Sequence, residues 1–253
     1  MDFSRVLSCA LDIGEQMLVS GAEIYRVEDC IRRICFAYGA SHVDVFTITS
    51  SIVVTVQQPD GQRLTQTRRI ESYKTNLDRV DLLNELSWEI CRRHMSYAEF
   101  LEKYQGILNK KPYPQWVETI GYAMAASGFT MFFGGTWRDG LVALVIGAVV
   151  KGVVWLVDAV NFNRVLSNLI AAFAMSILAI LAGRCGLADK VDMLVMGSIM
   201  LVIPGAALTN SLRDMISGDT MAGLLRFSEA CILALAIAAG YLLASACLGG
   251  AAV

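Results

Sequence analysis

Five apolar runs occupy the second half of this chain, at about 117–133, 139–159, 165–183, 191–208 and 222–248. A helix that crosses a bilayer needs about 20 apolar residues, within a range of about 17–25. Runs that are apolar on every side suit lipid better than a water-soluble bundle, whose helices keep a polar stripe. Small residues are frequent in these runs, as close helix packing in lipid requires. The charges divide the same way. Residues 1–115 hold 14 of the 21 basic and 15 of the 23 acidic side chains. The expected architecture is therefore an α+β cytoplasmic domain over 1–112, followed by an all-α membrane domain of five transmembrane helices over 113–253.

In the first part, Phe3, Val6, Leu7, Ala10, Leu11, Met17 and Leu18 recur at helical spacing. Gly21 can end that helix in a left-handed cap. A second helix fits 23–38, with Ile24, Val27, Ile31, Ile34 and Cys35 on one face. The period then changes. Residues 43–57 are rich in Val, Ile, Thr and Phe, which favours strand, and Ser50-Ser51 is a point at which the run can divide. Pro59-Asp60-Gly61 is a turn, and a short strand returns over 62–69. Helical spacing resumes from Asn76 to His94. Ser96 and Glu99 have capping-box spacing and open a last short helix. The order is ααβββαα.

Enzyme chemistry finds little support here. There is no P-loop, no GxGxxG and no GxSxG, and the two histidines, His42 and His94, lack the partners of a triad. The seven cysteines include no CxxC pair, so neither a zinc site nor a bound cofactor is expected, and buried, reduced thiols are. A net charge of -2 argues against nucleic acid as a partner. The opening MDFSRVLSCALDIGEQ carries acids where a basic leader would stand, so no cleaved signal peptide is expected.

Lys110-Lys111, followed by Pro112, Tyr113, Pro114 and Trp116, forms a basic, aromatic junction at the start of the membrane part. It places the first domain on the cytoplasmic side and Val253 outside. Within the apolar runs, charge and helix breakage mark candidate transport positions. Lys151 lies near the middle of the second run, and Asp158 follows two turns later on the same face. A carboxylate from a partner subunit is the rival counter-ion. Pro204-Gly205 interrupts the fourth run, and broken helices of this kind form binding sites in transporters. Asn210, Arg213, Asp214 and Asp219 follow the break. Arg226 and Glu229, three apart, read as a local ion pair.

Three stretches resemble one family. They are Gly21-Ala22-Glu23-Ile24-Tyr25-Arg26-Val27-Glu28; Ser50-Ser51 with Thr67-Arg68-Arg69; and Leu201 to Gly205 with Asn210, Asp214, Gly218, Gly223 and Arg226. In this order they are similar to the threonine/serine exporter family of bacterial inner-membrane proteins. The resemblance implies a cytoplasmic N-terminal domain and export of small hydrophilic metabolites, driven by the proton motive force. The expected substrate path is Pro204, Gly205, Asn210 and Asp214 with Lys151 and Asp158, and Gly21, Glu23, Arg26, Glu28, Ser50 and Ser51 form the cytoplasmic-domain motif. Full-length members carry a second membrane block. This chain resembles the split form, a large subunit working with a separate small membrane subunit. The cargo of such a pair is an amino acid such as threonine or serine, or a dicarboxylate such as succinate. Self-association is a further expected contact. The alternative is a membrane-anchored sensor or scaffold whose soluble domain carries the activity. Polar and broken positions inside the runs favour transport, because an anchor does not need them.

Overall fold

The computed structural model describes residues 3–160 and 162–248, with only the backbone of Asp158. It divides into two compact units. The first is Met1–Lys111 with Ala206–Phe227, and the second is Pro112–Gly205 with Ser228–Val253.

In the first unit, helices α1 (Phe3–Val19) and α2 (Ile24–Ala37) form a tight pair. Strands β1 (His42–Ile48), β2 (Ser51–Gln57) and β3 (Arg63–Arg69) then make an antiparallel sheet in the order β1-β2-β3. Ile48 pairs with Ser51, so Thr49 and Ser50 are the two-residue turn of the first hairpin. Burial alternates along β1 and β2, which is the period of a sheet with one covered face. Ile52, Val54 and Val56 of that face join Leu7, Leu11, Ile31 and Ile34 in one core. Helices α3 (Leu77–Arg93) and α4 (Tyr97–Leu108) add Leu83, Leu86 and Phe100. Both start on side-chain caps: Asn76 Oδ1 accepts the Arg79 N–H at 3.0 Å, and Ser96 Oγ accepts the Glu99 N–H at 3.3 Å. Helix α9 (Gly205–Ile216) lies in this unit from Ala206 onward, as do the first residues of α10 (Thr220–Cys247). Ala222 of α10 is buried in its core.

The second unit contains α5 (Gln115–Phe132), α6 (Trp137–Ala159), α7 (Arg164–Arg184), the short α8 (Val191–Ile199) and the remainder of α10. Its core is lined by small and aliphatic residues, among them Ala126, Ala143, Ala171, Met175, Ala179 and Leu194. Large apolar side chains such as Phe132, Leu141, Val145, Trp155, Leu235 and Leu242 are exposed, as a lipid-facing surface demands.

The expected architecture fails in its membrane half. Among the described residues three helices, not five, are long and apolar enough to cross a membrane: Trp137–Val157, Arg164–Arg184 and Thr220–Cys247. The run at 117–133 lies in α5, only 18 residues long and diluted by Gln115, Glu118 and Thr119 in its first turns. The run at 191–208 is not one helix. Its first part, α8, has 9 residues, about 13 Å at 1.5 Å each. Pro204 has no N–H for the Met200 carbonyl, and its ring crowds that carbonyl, so the helix stops and α9 restarts beyond it. An α+β domain before a five-helix membrane domain thus gives way to a mainly helical protein. Among the described residues it has ten helices and one small three-stranded sheet. The expected position of Val253 lies outside the described residues.

Cys9, Cys30 and Cys35 are buried and Cys91 is half-buried, but Cys185, Cys231 and Cys247 are exposed, contrary to the expectation of buried thiols throughout. Burial pushes Cys9 and Cys35 up to about 12 and Cys30 up to about 11. The three thiols stay protonated at pH 8 and inert to electrophiles. A short N-ethylmaleimide pulse on detergent-solubilised protein should therefore modify Cys185 and spare Cys9, Cys30 and Cys35 until denaturant is added. Mass spectrometry showing equal rates at all four would contradict this core.

Candidate functional site

The turn that ends α1 leaves backbone groups that another segment of the first unit must satisfy. Gly21 has φ +94°, a conformation that favours glycine. Its N–H donates to Leu18 O and that of Ala22 to Met17 O, both at 3.0 Å. This reversal turns two carbonyls and the first amide of α2 outward. Asn210 Nδ2 donates to Gly21 O at 3.2 Å. Arg226 Nη2 donates to Ala22 O at 2.9 Å. Asp214 Oδ1 accepts the Ile24 N–H at 3.2 Å, a role that Glu23, the residue before α2, does not fill with its own side chain. Asp214 Oδ2 also accepts from Arg226 Nη1 at 3.0 Å, and Arg213 pairs with Glu23. Asp214 is 1% exposed and Arg226 8%.

The α9–α10 hairpin that carries these groups closes tightly. A Cβ on Gly223 would stand 2.7 Å from Ser211 O and 2.9 Å from Met215 N, so only glycine lets the helices approach. Burial pushes the Asp214 carboxyl above its ordinary value. Arg226 and the Ile24 N–H pull it back, while Asp219 and Glu23 push it further up. Glu28 fastens α2 to β1. It accepts the Thr47 N–H at 3.0 Å and Arg32 Nη2 at 2.8 Å, and burial raises its carboxyl against the pull of Arg32.

The structure thus brings Gly21, Glu23, Asn210 and Asp214 together, with Glu28 one turn along α2. Arg26 is exposed. Ser50 and Ser51 sit at the hairpin turn, where Ser50 O accepts the Ile70 N–H at 2.9 Å. Arg226 bonds to Asp214, twelve residues back, and not to Glu229. The i,i+3 reading failed because the hairpin at Gly218 folds a second acid onto it.

In the second unit, Lys151 of α6 donates to Glu118 of α5, and its ammonium lies 5.2 Å from the ring centroid of Tyr122. The side chain of Asp158, the counter-ion expected from sequence, lies outside the described residues. One turn before Lys151, a Cβ on Gly147 would meet Tyr122 O at 2.6 Å and Ala123 Cα at 2.8 Å, so the two backbones nearly touch there. Pro204 is half-buried and Gly205 exposed. They end a stretch of this unit, whereas Asn210 and Asp214 belong to the first.

Sequence reasoning missed Asp139, which is 0% exposed. Its Oδ2 accepts the Thr136 N–H and hydroxyl at 2.8 and 2.9 Å, and its Oδ1 accepts the Asp189 and Lys190 amides at 2.7 and 3.2 Å. The Thr136-x-x-Asp139 spacing was the available signal. Among the described residues no group of three His, Cys, Asp or Glu could hold a metal.

Residues 8–248 match the sequence model of ThrE, the threonine/serine exporters. The chain belongs to the threonine/serine exporter family. The chain is 27% identical over 246 residues to the "Probable threonine/serine exporter" of Mycobacterium tuberculosis, and 25% identical over 241 residues to the "Probable succinate transporter subunit YjjP" of Klebsiella aerogenes. Each alignment covers 94% of this chain, but 45% of the first relative and 90% of the second. The "Threonine/serine exporter" of Corynebacterium glutamicum is 25% identical, with 50% of its length covered. The chain thus spans about half the length of the exporters it resembles and about nine-tenths of the YjjP protein. No solved structure matches it.

The buried pair gives a stability test. Removing one partner of a buried ion pair strands the other and costs about 3–5 kcal/mol. Asp214→Ala should lower the thermal midpoint of the first unit and open the Gly21 turn to protease. Asp214→Leu with Arg226→Met should recover part of the loss. If Asp214→Ala melts with the parent protein, the pair does not hold this unit.

Proposed function

We propose that this chain is the large subunit of a secondary exporter in the bacterial inner membrane, working with a separate small membrane subunit. Its first unit would lie in the cytoplasm. The cargo is a small hydrophilic metabolite, either an amino acid such as threonine or serine or a dicarboxylate such as succinate. The observation that carries the reading is the family match over residues 8–248, in a chain whose described residues hold three helices long and apolar enough to cross a membrane. A partner subunit is supported by the Klebsiella relative, which is named a subunit and is matched along 90% of its length. The Lys110-Lys111 junction favours the cytoplasmic side for the first unit.

The transport path runs through the second unit, by Lys151 and the break at Pro204-Gly205. A lysine at mid-bilayer costs about 2.5–3.5 kcal/mol on insertion scales, so one retained there is a functional position by default. Non-helical backbone at membrane depth is tolerated only where it is buried in protein or lines a cavity. On this reading Asn210 and Asp214 hold the first unit together and do not touch cargo.

The test is efflux of serine, threonine and succinate from proteoliposomes, with and without a small family subunit. Co-reconstitution should give efflux of at least one cargo. Pro204→Ala with Gly205→Leu should abolish it without reducing insertion. Efflux of none of the three, with both subunits inserted, would contradict the reading.

A further inference from the structure

The Lys151–Glu118 pair lies beside a close helix contact of the second unit. Gly147, one turn before Lys151, lets α5 and α6 touch backbone to backbone, and Ala126, Ala143 and Val150 are buried along the same contact. At one end of this contact stand one cation and one anion. The lysine side chain is 16% exposed and the glutamate 39%. Tyr122 adds a ring face beside the ammonium.

The other charged groups on the packed elements lie elsewhere. Asp139 is bonded to the Thr136, Asp189 and Lys190 amides at the far end of α6, and Arg138 and Asp192 lie in the same turns. Lys190 Nζ donates to Gly134 O there at 2.9 Å. Arg184 donates to Leu248 O at the end of α7. Arg164 begins α7, and Asp158, near the end of α6, is described by its backbone alone.

We propose that Lys151 and Glu118 form a binding site for a small zwitterion, and that a proton competes with that zwitterion at Glu118. This inference rests on the exporter reading above and narrows its cargo to α-amino acids. Each charge of the resident pair stands in for the like charge of the guest. The guest carboxylate takes the place of Glu118 at Lys151, and the guest ammonium takes the place of Lys151 at Glu118. A dicarboxylate satisfies Lys151 but brings a second anion against Glu118, so charge complementarity selects against it.

Glu118 also supplies a coupling step. A proton from the outer side adds to the Glu118 carboxylate and removes the anion that held the ammonium, so the amino acid leaves. On the inner side the carboxylate gives up the proton, and a new amino acid, or Lys151, takes its place. One proton enters for each zwitterion exported.

The experiment uses the full chain with its small subunit in proteoliposomes, and measures serine and succinate efflux with and without an acid-outside pH gradient. The wild-type protein should move serine at least about tenfold faster than succinate, and the gradient should speed it. Glu118→Gln should lower serine efflux by about ten- to a hundredfold, the value of one charged hydrogen bond, and what remains should ignore the gradient. Lys151→Met should lose serine efflux. Glu118→Asp keeps the charge and should keep the gradient dependence, which separates lost chemistry from lost folding. Wild-type protein that moves succinate as fast as serine, or Glu118→Gln that still responds to the gradient, overturns the site and leaves the exporter reading standing. Wild-type protein that moves neither these cargoes nor threonine overturns both.

Discussion

A missing amide hydrogen at Pro204 shapes much of this protein. Without it an apolar stretch from Val191 to Leu208 would propagate as one helix. With it, α8 stops at Ile199, and the residues from Ala206 onward are free to belong to the first unit. There Asn210, Asp214 and Arg226 supply the hydrogen bonds that the Gly21 turn lacks. A single proline thus removes one expected span and decides where the polar residues of α9 act in the fold. The constraint is local, and its consequence is a discontinuous domain.

Two ion pairs do different work. Asp214–Arg226 is buried, and each of its two side chains bonds a backbone group as well as its counter-charge. That is the arrangement in which burial of charge is tolerated. Its role is to pin a helical hairpin to a turn. Lys151–Glu118 has fewer partners and a half-open carboxylate beside a helix contact too close for any side chain at position 147. A pair with an exposed side, for which no backbone anchor is found among the described residues, is the better placed to exchange its partner for a guest. A pair enclosed like Asp214–Arg226 cannot do so without unfolding the turn.

The first unit was largely legible in the sequence because its signals are local. The apolar spacing of Phe3 to Leu18, the glycine at position 21, the change of period at Val43 and the turn at Pro59 each act within a few residues. The membrane part was less legible. Hydropathy marked the run at 191–208 as continuous, although Pro204 stood inside it. An averaged window weighs a proline as one residue among many, whereas in a helix it is a stop. The i,i+7 spacing from Lys151 to Asp158 is visible in sequence, and that side chain lies outside the described residues. Glu118 lies 33 residues upstream of Lys151 and becomes its neighbour only when α5 folds back along α6. Arg226 was assigned to Glu229 because i,i+3 spacing is likewise visible. Long-range partners such as Glu118 and Asp214 leave no spacing signal in a single sequence.

The central claim is that the α5–α6 contact beside Lys151 and Glu118 opens to cargo. Thiol accessibility at Tyr122 tests it most directly. In a background without reactive native cysteines, Tyr122→Cys in proteoliposomes would be exposed to a membrane-impermeant, hydrophilic methanethiosulfonate. The account predicts labelling that serine slows and that an equal concentration of succinate slows much less. A thiol at this position that stays unreactive, or one whose labelling neither solute changes, would contradict it.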